Sequence, residues 1–187
     1  MVVQASGCGS SNPITSLLQC VGDFCKDPLK PKIRVVVAWI SPTVGTFKFN
    51  VDGSTKGQPG LAGIGGVLRN SPGVVLRLFL IFVVNQDSVT SKLLAINKAC
   101  FLCASNLSTQ GQNIEIVSDS LVSVTWINVD NVGSYAHVKL FFDIRDLLRT
   151  HERMIDSFCS RNSNSYTDNL AKKGSNREGD VVQWGSF

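Results

Sequence analysis

The stretch TFKFNVDGSTKGQPGLAGIGGVLRNSPGVVLRLFLIFVVN, Thr46 to Asn85, decides the fold. Its first segment alternates Phe47, Phe49 and Val51 with Lys48, Asn50 and Asp52, the period of two of a half-buried strand, and it stops at a glycine turn. AGIGGVLRN reads as a second, glycine-rich strand, SPG as a turn, and VVLRLFLIFVVN as a third strand. Three strands joined by short turns predict an antiparallel meander.

Downstream the period changes. From Ser88, Val89, Leu93, Ile96, Cys100, Cys103 and Leu107 recur at helical spacing. NIEIVSDS is a fourth strand ending, like the first, in an aspartate, and LVSVTWINV is a short helix. AHVKLFFDIRDLLRTHE is an amphipathic helix, MIDSFCSR a fifth strand, and NSYTDNLAKKG a last helix closed by Gly174. The order βββ, α, β, α, α, β, α predicts an α/β domain with a five-stranded mixed sheet, three antiparallel strands and then two more, flanked by helices. Residues 1–43, rich in Gly, Ser and Pro with a basic cluster at Lys26, Lys30, Lys32 and Arg34, are expected to form a mobile arm. The domain is expected over residues 44–174 and a tail over 175–187, where no period is clear.

With 187 residues and 43% hydrophobic content, the chain can bury a full core. A net charge of +4 permits a polyanionic partner without requiring one. The six cysteines (8, 20, 25, 100, 103 and 159) form no secreted disulfide framework, and CFLC lies in an apolar helical pattern, so core thiols and an intracellular protein, cytoplasmic or nuclear, are expected. The apolar run LFLIFVV is far too short to span a bilayer; no membrane partner is expected, and the protein is expected to be a monomer.

Asp52 and Asp119 end two strands, and Asp168 sits in the last helix. Neighbouring strand ends can bring carboxylates within about 4 Å, where they repel by about 4 kcal/mol at an effective dielectric of 20. A divalent metal would compensate; the plainer alternative is that Asp before Gly or Ser is a common turn residue.

Taken together, WISPTVGTFKFNVDGSTKG, AGIGGVLRNSPGVVL, IEIVSDS and SRNSNSYTDNLAKKG resemble the ribonuclease H-like domain of many plant proteins and of plant retroelement polyproteins, from about Trp39 to Gly174. The resemblance implies the fold just read. It also implies a nuclease that cleaves the RNA strand of an RNA·DNA hybrid with Mg²⁺ or Mn²⁺ held by four acids. Three of those acids fall on Asp52, Asp119 and Asp168, which become the candidate catalytic residues and metal ligands. The fourth, in a pattern like AELLAI, is SKLLAI here, so Lys92 stands at the glutamate position. No acid lies between Asp87 and Glu115 to replace it, and the site's formal charge falls from −4 to −2. The lysine could pair with the aspartates or turn to solvent. A histidine expected before the last helix is Phe158, while Arg161 is kept; His137 and His151 lie elsewhere, in surface or packing roles.

The resemblance further implies nucleic acid over the strand ends. Gly53, Ser54, Ser120 and Asn164 are candidate contacts, with Lys56 and Arg161 as charges. Gly53 and Ser54 could instead shape a turn, and Asn164 could cap the last helix. The partner is thus an RNA·DNA hybrid or other nucleic acid, bound either by an impaired ribonuclease or by a non-catalytic binding or interaction module.

Overall fold

The alternation from Thr46 becomes β1 (Thr46–Gly57), followed by β2 (Gly60–Arg69) and β3 (Val75–Gln86). The computed structural model of the chain describes residues 38–129, 135–151, 154–176 and 179–184. The expected N-terminal arm, with its basic cluster, lies outside the described residues up to residue 37. After the meander come α1 (Ser88–Ala104), β4 (Asn113–Ser118), α2 (Leu121–Val129), α3 (Val138–Thr150), β5 (Met154–Phe158) and α4 (Ser165–Gly174).

The sheet has six strands, not five. Val181–Trp184, in the segment read as a tail, forms β6 and pairs antiparallel with Arg77–Leu80 of β3. The strand order is β5-β4-β1-β2-β3-β6, with β1, β4 and β5 mutually parallel in sequence of pairing and β1, β2 and β3 antiparallel. Parallel pairing of β1 with β4 aligns Val51 with Ser118, so the next residues, Asp52 and Asp119, come side by side where β4 ends.

Helices cover both faces. Phe49, Val51, Ile64, Phe79 and Ile116 bury against Leu93, Ile96 and Cys100 of α1 in the main core. On the other face α4 lies so close to β2 that a Cβ at Gly63 would sit 2.2 Å from the backbone oxygen of Ala171. Glycine is the residue that permits this approach. Gly174 does not close the helix in a left-handed turn: it is the last helical residue, packed on the Ile81 carbonyl, and Ser175 follows as the cap.

The start of α1 is fixed by Asp87, whose side chain accepts from the amides of Val89 and Thr90 at 2.8 Å each. These contacts and the Thr90 hydroxyl (2.5 Å) outweigh partial burial and hold the Asp87 carboxyl below its ordinary value. The same hydroxyl lies 2.9 Å from Nε2 of buried His137, tying the start of α1 to the segment before α3. At the far end of α1, buried Arg77 of β3 donates to the Leu102 carbonyl at 2.6 Å, a cation at the negative end of the helix. Cys100 and Cys103 are buried free thiols, and burial pushes that of Cys103 up to about 12.

Asp156 of β5 is buried, and neither carboxylate oxygen has a partner of hydrogen-bonding geometry among the described residues. Burial pushes this carboxyl up to about 7, opposed only by the neighbouring Ser157 amide. Between about pH 4 and pH 7 the folded state therefore keeps a proton that the unfolded chain has lost, and stability falls as pH rises through that window, by on the order of 4 kcal/mol. Asp156→Asn keeps the shape and removes the ionisation. Urea denaturation is expected to find it more stable than the parent at pH 8 and about equal at pH 4.

Candidate active site

Asp52 does not end its strand as expected, because pairing with β2 carries β1 through the glycine and on to Gly57; it lies inside β1, beside the point where β4 ends at Ser118 and Asp119 follows. Asp52 is 1% exposed in its side chain and Asp119 4%. Between them lies Lys92 of α1, whose Nζ donates to Asp52 Oδ1 at 2.5 Å and to Asp119 Oδ1 at 2.6 Å. Its side chain is 17% exposed. Of the two options for this lysine, pairing is the one adopted.

Gly53 makes the pairing possible. A Cβ there would lie 2.3 Å from the Ser91 carbonyl carbon and 2.6 Å from the Lys92 amide nitrogen, so β1 can approach the first turn of α1 only where a side chain is missing. Its amide also donates to Asp52 Oδ1 at 2.8 Å.

Burial disfavours charge on Lys92, but Asp52 and Asp119 outweigh this and hold its ammonium above the ordinary lysine value. Burial pushes the Asp52 carboxyl up to about 6; Asp119 adds to the rise, and Lys92 pulls against it. The ammonium is what keeps the Asp52 carboxyl from being pushed higher still in this dry setting.

Asp168, on the first turn of α4, completes the acid set. Lys172, one helical turn on, donates to its Oδ2 at 2.5 Å. Arg161, 75% exposed, spans the opening: Nε lies 3.9 Å from Asp119 Oδ2 and a terminal nitrogen 3.9 Å from Asp168 Oδ1. Three carboxylates thus face three cations from the same chain, and the cluster is formally neutral rather than −2. The i, i+4 spacing of Lys172 from Asp168 is a signal readable in the sequence.

The other candidates divide by exposure. Ser54, Lys56 and Arg161 reach the surface, with Lys56 bonded to the Asn176 side chain. Ser120 is buried and caps α2, its hydroxyl 2.7 Å from that of Ser123 and accepting from the Ser123 amide at 3.2 Å. Asn164 is fully buried: its amide donates to the Val51 carbonyl at 2.9 Å, and its oxygen accepts from Asn50 at 3.2 Å and from Thr167 at 2.6 Å. It occupies the cap position of α4 without capping it, serving as a strut between that helix and β1.

The donors do not fit a divalent ion as arranged. Nζ of Lys92 lies between the two carboxylates that would share it, and among the described residues no group of three acidic, histidine or cysteine side chains is placed to hold a metal. Among those residues, too, no helix is long and apolar enough to cross a membrane.

Comparison with known proteins agrees with this geometry at the level of fold. The structure is similar to LC11-RNase H1 isolated from compost (20% identity, TM-score 0.66, covering 71% of this chain and 97% of that one). It is also similar to RNase H1 of Halobacterium salinarum (20%, 0.64, covering 71% and 98%) and to LC11-RNase H1 in complex with an RNA/DNA hybrid (19%, 0.63, covering 68% and 94%). A 44-residue stretch is 48% identical to an Arabidopsis thaliana protein named "Putative ribonuclease H protein At1g65750", spanning 24% of this chain and 7% of that protein's length. Residues 50–174 match the family described as "Reverse transcriptase-like". The chain therefore belongs to the reverse transcriptase-like family and carries a ribonuclease H-like domain.

Proposed function

We propose that this domain, expected over residues 44–174, binds nucleic acid, by family an RNA·DNA hybrid, and that its hydrolysis of the RNA strand is impaired because Lys92 closes the acidic site from within. The observation that carries the reading is the position of Nζ, 2.5 Å from Asp52 and 2.6 Å from Asp119. An ammonium there satisfies both carboxylates and fills the space of a shared ion. Two-metal hydrolysis is the chemistry that Mg²⁺ or Mn²⁺ supplies in active relatives, and it needs the fourth carboxylate that this chain lacks. Asp52, Asp119 and Asp168 are accordingly remnants of a catalytic set, held together by Lys92, Arg161 and Lys172.

Binding is supported by the same charge balance. A bare carboxylate cluster repels a phosphate backbone, whereas a formally neutral one with Arg161 exposed at its mouth does not. Ser54 and Lys56 on the open end of β1 extend the surface, and main-chain amides nearby suit phosphates and 2′-hydroxyls. Gly53, Ser120 and Asn164 support this surface from beneath.

The decisive test compares wild type with Lys92→Glu in one hybrid-cleavage assay under a Mg²⁺ and Mn²⁺ titration. Little or no cleavage is expected from the wild type and metal-dependent cleavage from Lys92→Glu, abolished again by adding Asp52→Asn. Robust cleavage by the wild type would overturn the impairment. In thermal melts, Mg²⁺ is expected to raise the midpoint of Lys92→Glu and leave that of the wild type nearly unmoved. Lys92→Gln, which strands two buried carboxylates, is expected to lose about 3–5 kcal/mol in urea denaturation at pH 7, with much of the loss recovered at pH 4, where Asp52 is protonated. Fluorescence anisotropy is expected to show hybrid binding without added metal that weakens steeply as salt rises, and further weakening by Arg161→Ala; affinity indifferent to salt would contradict a phosphate-led contact.

A further inference from the structure

Beside the acidic cluster, on the other flank of the α4 start, a second constellation has no part in the site described above. The Arg69 guanidinium at the end of β2 lies between two aromatic rings, 5.0 Å from the centre of Trp39 and 5.1 Å from that of Tyr166. Burial among them lowers its pKa from the ordinary arginine value, a sign that the cation is partly stripped of water. The stack borders a cleft of about 200 Å³, whose polar lining includes Asn50, Asn162, Ser163 and Ser165. Tyr166 remains 51% exposed, so its ring is the open surface of the stack.

The stack is built rather than incidental. Trp39 Nε1 donates to Asn50 Oδ1 at 2.8 Å, and Asn50 donates to Asn164, the strut that ties β1 to α4. Asn50 and Asp52 are two residues apart on one strand and so project from the same face of the sheet. Tyr166 and Asp168 are two residues apart on a helix, which turns them to different flanks about one helix diameter, roughly 10 Å, apart. The loop between β5 and α4 joins the two places: Arg161 faces the acids, while Asn162 and Ser163 line the aromatic cleft.

The geometry points to this cleft as a site for an unpaired nucleobase of a strand that continues past the acidic cluster. A planar heterocycle can stack on the open Tyr166 ring, present its polar edge to the serine side chains of the lining, and keep its phosphate near Arg161. The cleft is large enough for one base and too small for a base pair. Such stacking is tolerant of sequence, because every base has a π-face. The inference rests on the reading that the domain binds nucleic acid, and it adds a preference that reading does not contain: a junction between hybrid duplex and single strand.

The test uses the full chain and fluorescein-labelled RNA·DNA hybrids of one duplex length: blunt, with a single-stranded tail, and with an abasic tail of the same length and charge. Within each variant the ratio of tailed to blunt affinity is read. A ratio of about 10 is expected for the wild type and for Tyr166→Phe, which keeps the ring, and about 1 for Tyr166→Leu and for the abasic tail. A 5-iodouracil tail is expected to photocrosslink to Tyr166. If blunt hybrid binds and the tail adds nothing, or an abasic tail adds as much, the cleft is not a base site, although the nucleic-acid reading survives. If no hybrid binds at all, both fall together.

Discussion

An ammonium held between two buried carboxylates organises the centre of this molecule. Asp52 and Asp119 are brought together by sheet register, since parallel strands aligned at Val51 and Ser118 must place their next residues side by side. That juxtaposition would be costly with nothing between the acids, and Lys92 supplies the counter-charge from the first turns of α1. The position of Lys92 depends in turn on a bare Cα at Gly53 and on Asp87 fixing where α1 begins. Such a buried ion pair adds little net stability over an apolar alternative, because both charges lose water; its force is that no member can be removed alone.

Much of this was readable in the chain. The period of two across Phe47, Phe49 and Val51 marks β1, NIEIVSDS marks the strand that pairs with it, and SKLLAI places a lysine where the resemblance implies an acid. What stayed hidden depended on three-dimensional neighbours. Whether Lys92 would pair or turn outward is a matter of helix approach, which Gly53 controls. Gly53 itself reads equally as a turn residue or as an opening for substrate, while its bare face is occupied by α1. Asn164 reads as a cap or a contact, yet its amide is spent on the Val51 carbonyl. Four residues of β6 are too few to establish a period, and only the unpaired edge of β3 gives them a partner.

The aspartates are better understood as a charge pattern than as separate ligands. Lys92 lies within, Lys172 one helical turn from Asp168, and Arg161 across the mouth, so each carboxylate has a cation from a different segment. These side chains cross-link separate elements: α1 to β1 and to the end of β4, and the loop before α4 to the end of β4 and to α4 itself. The arrangement explains how the fold can keep its acidic triad in register without an external cation.

The strand beyond α4 bears on where the folding unit stops. β3 carries an almost unbroken apolar sequence, and along Arg77–Leu80 its outer hydrogen-bonding groups are occupied by β6. Asp180 adds an acceptor for the Phe82 amide at 3.2 Å. The family match ends at residue 174, before either contact. A unit cut at that limit would retain every residue of the acidic cluster and leave a hydrophobic sheet margin open to pairing with other chains. The border of recognisable ancestry and the border of self-protection against aggregation are therefore different places in this polypeptide.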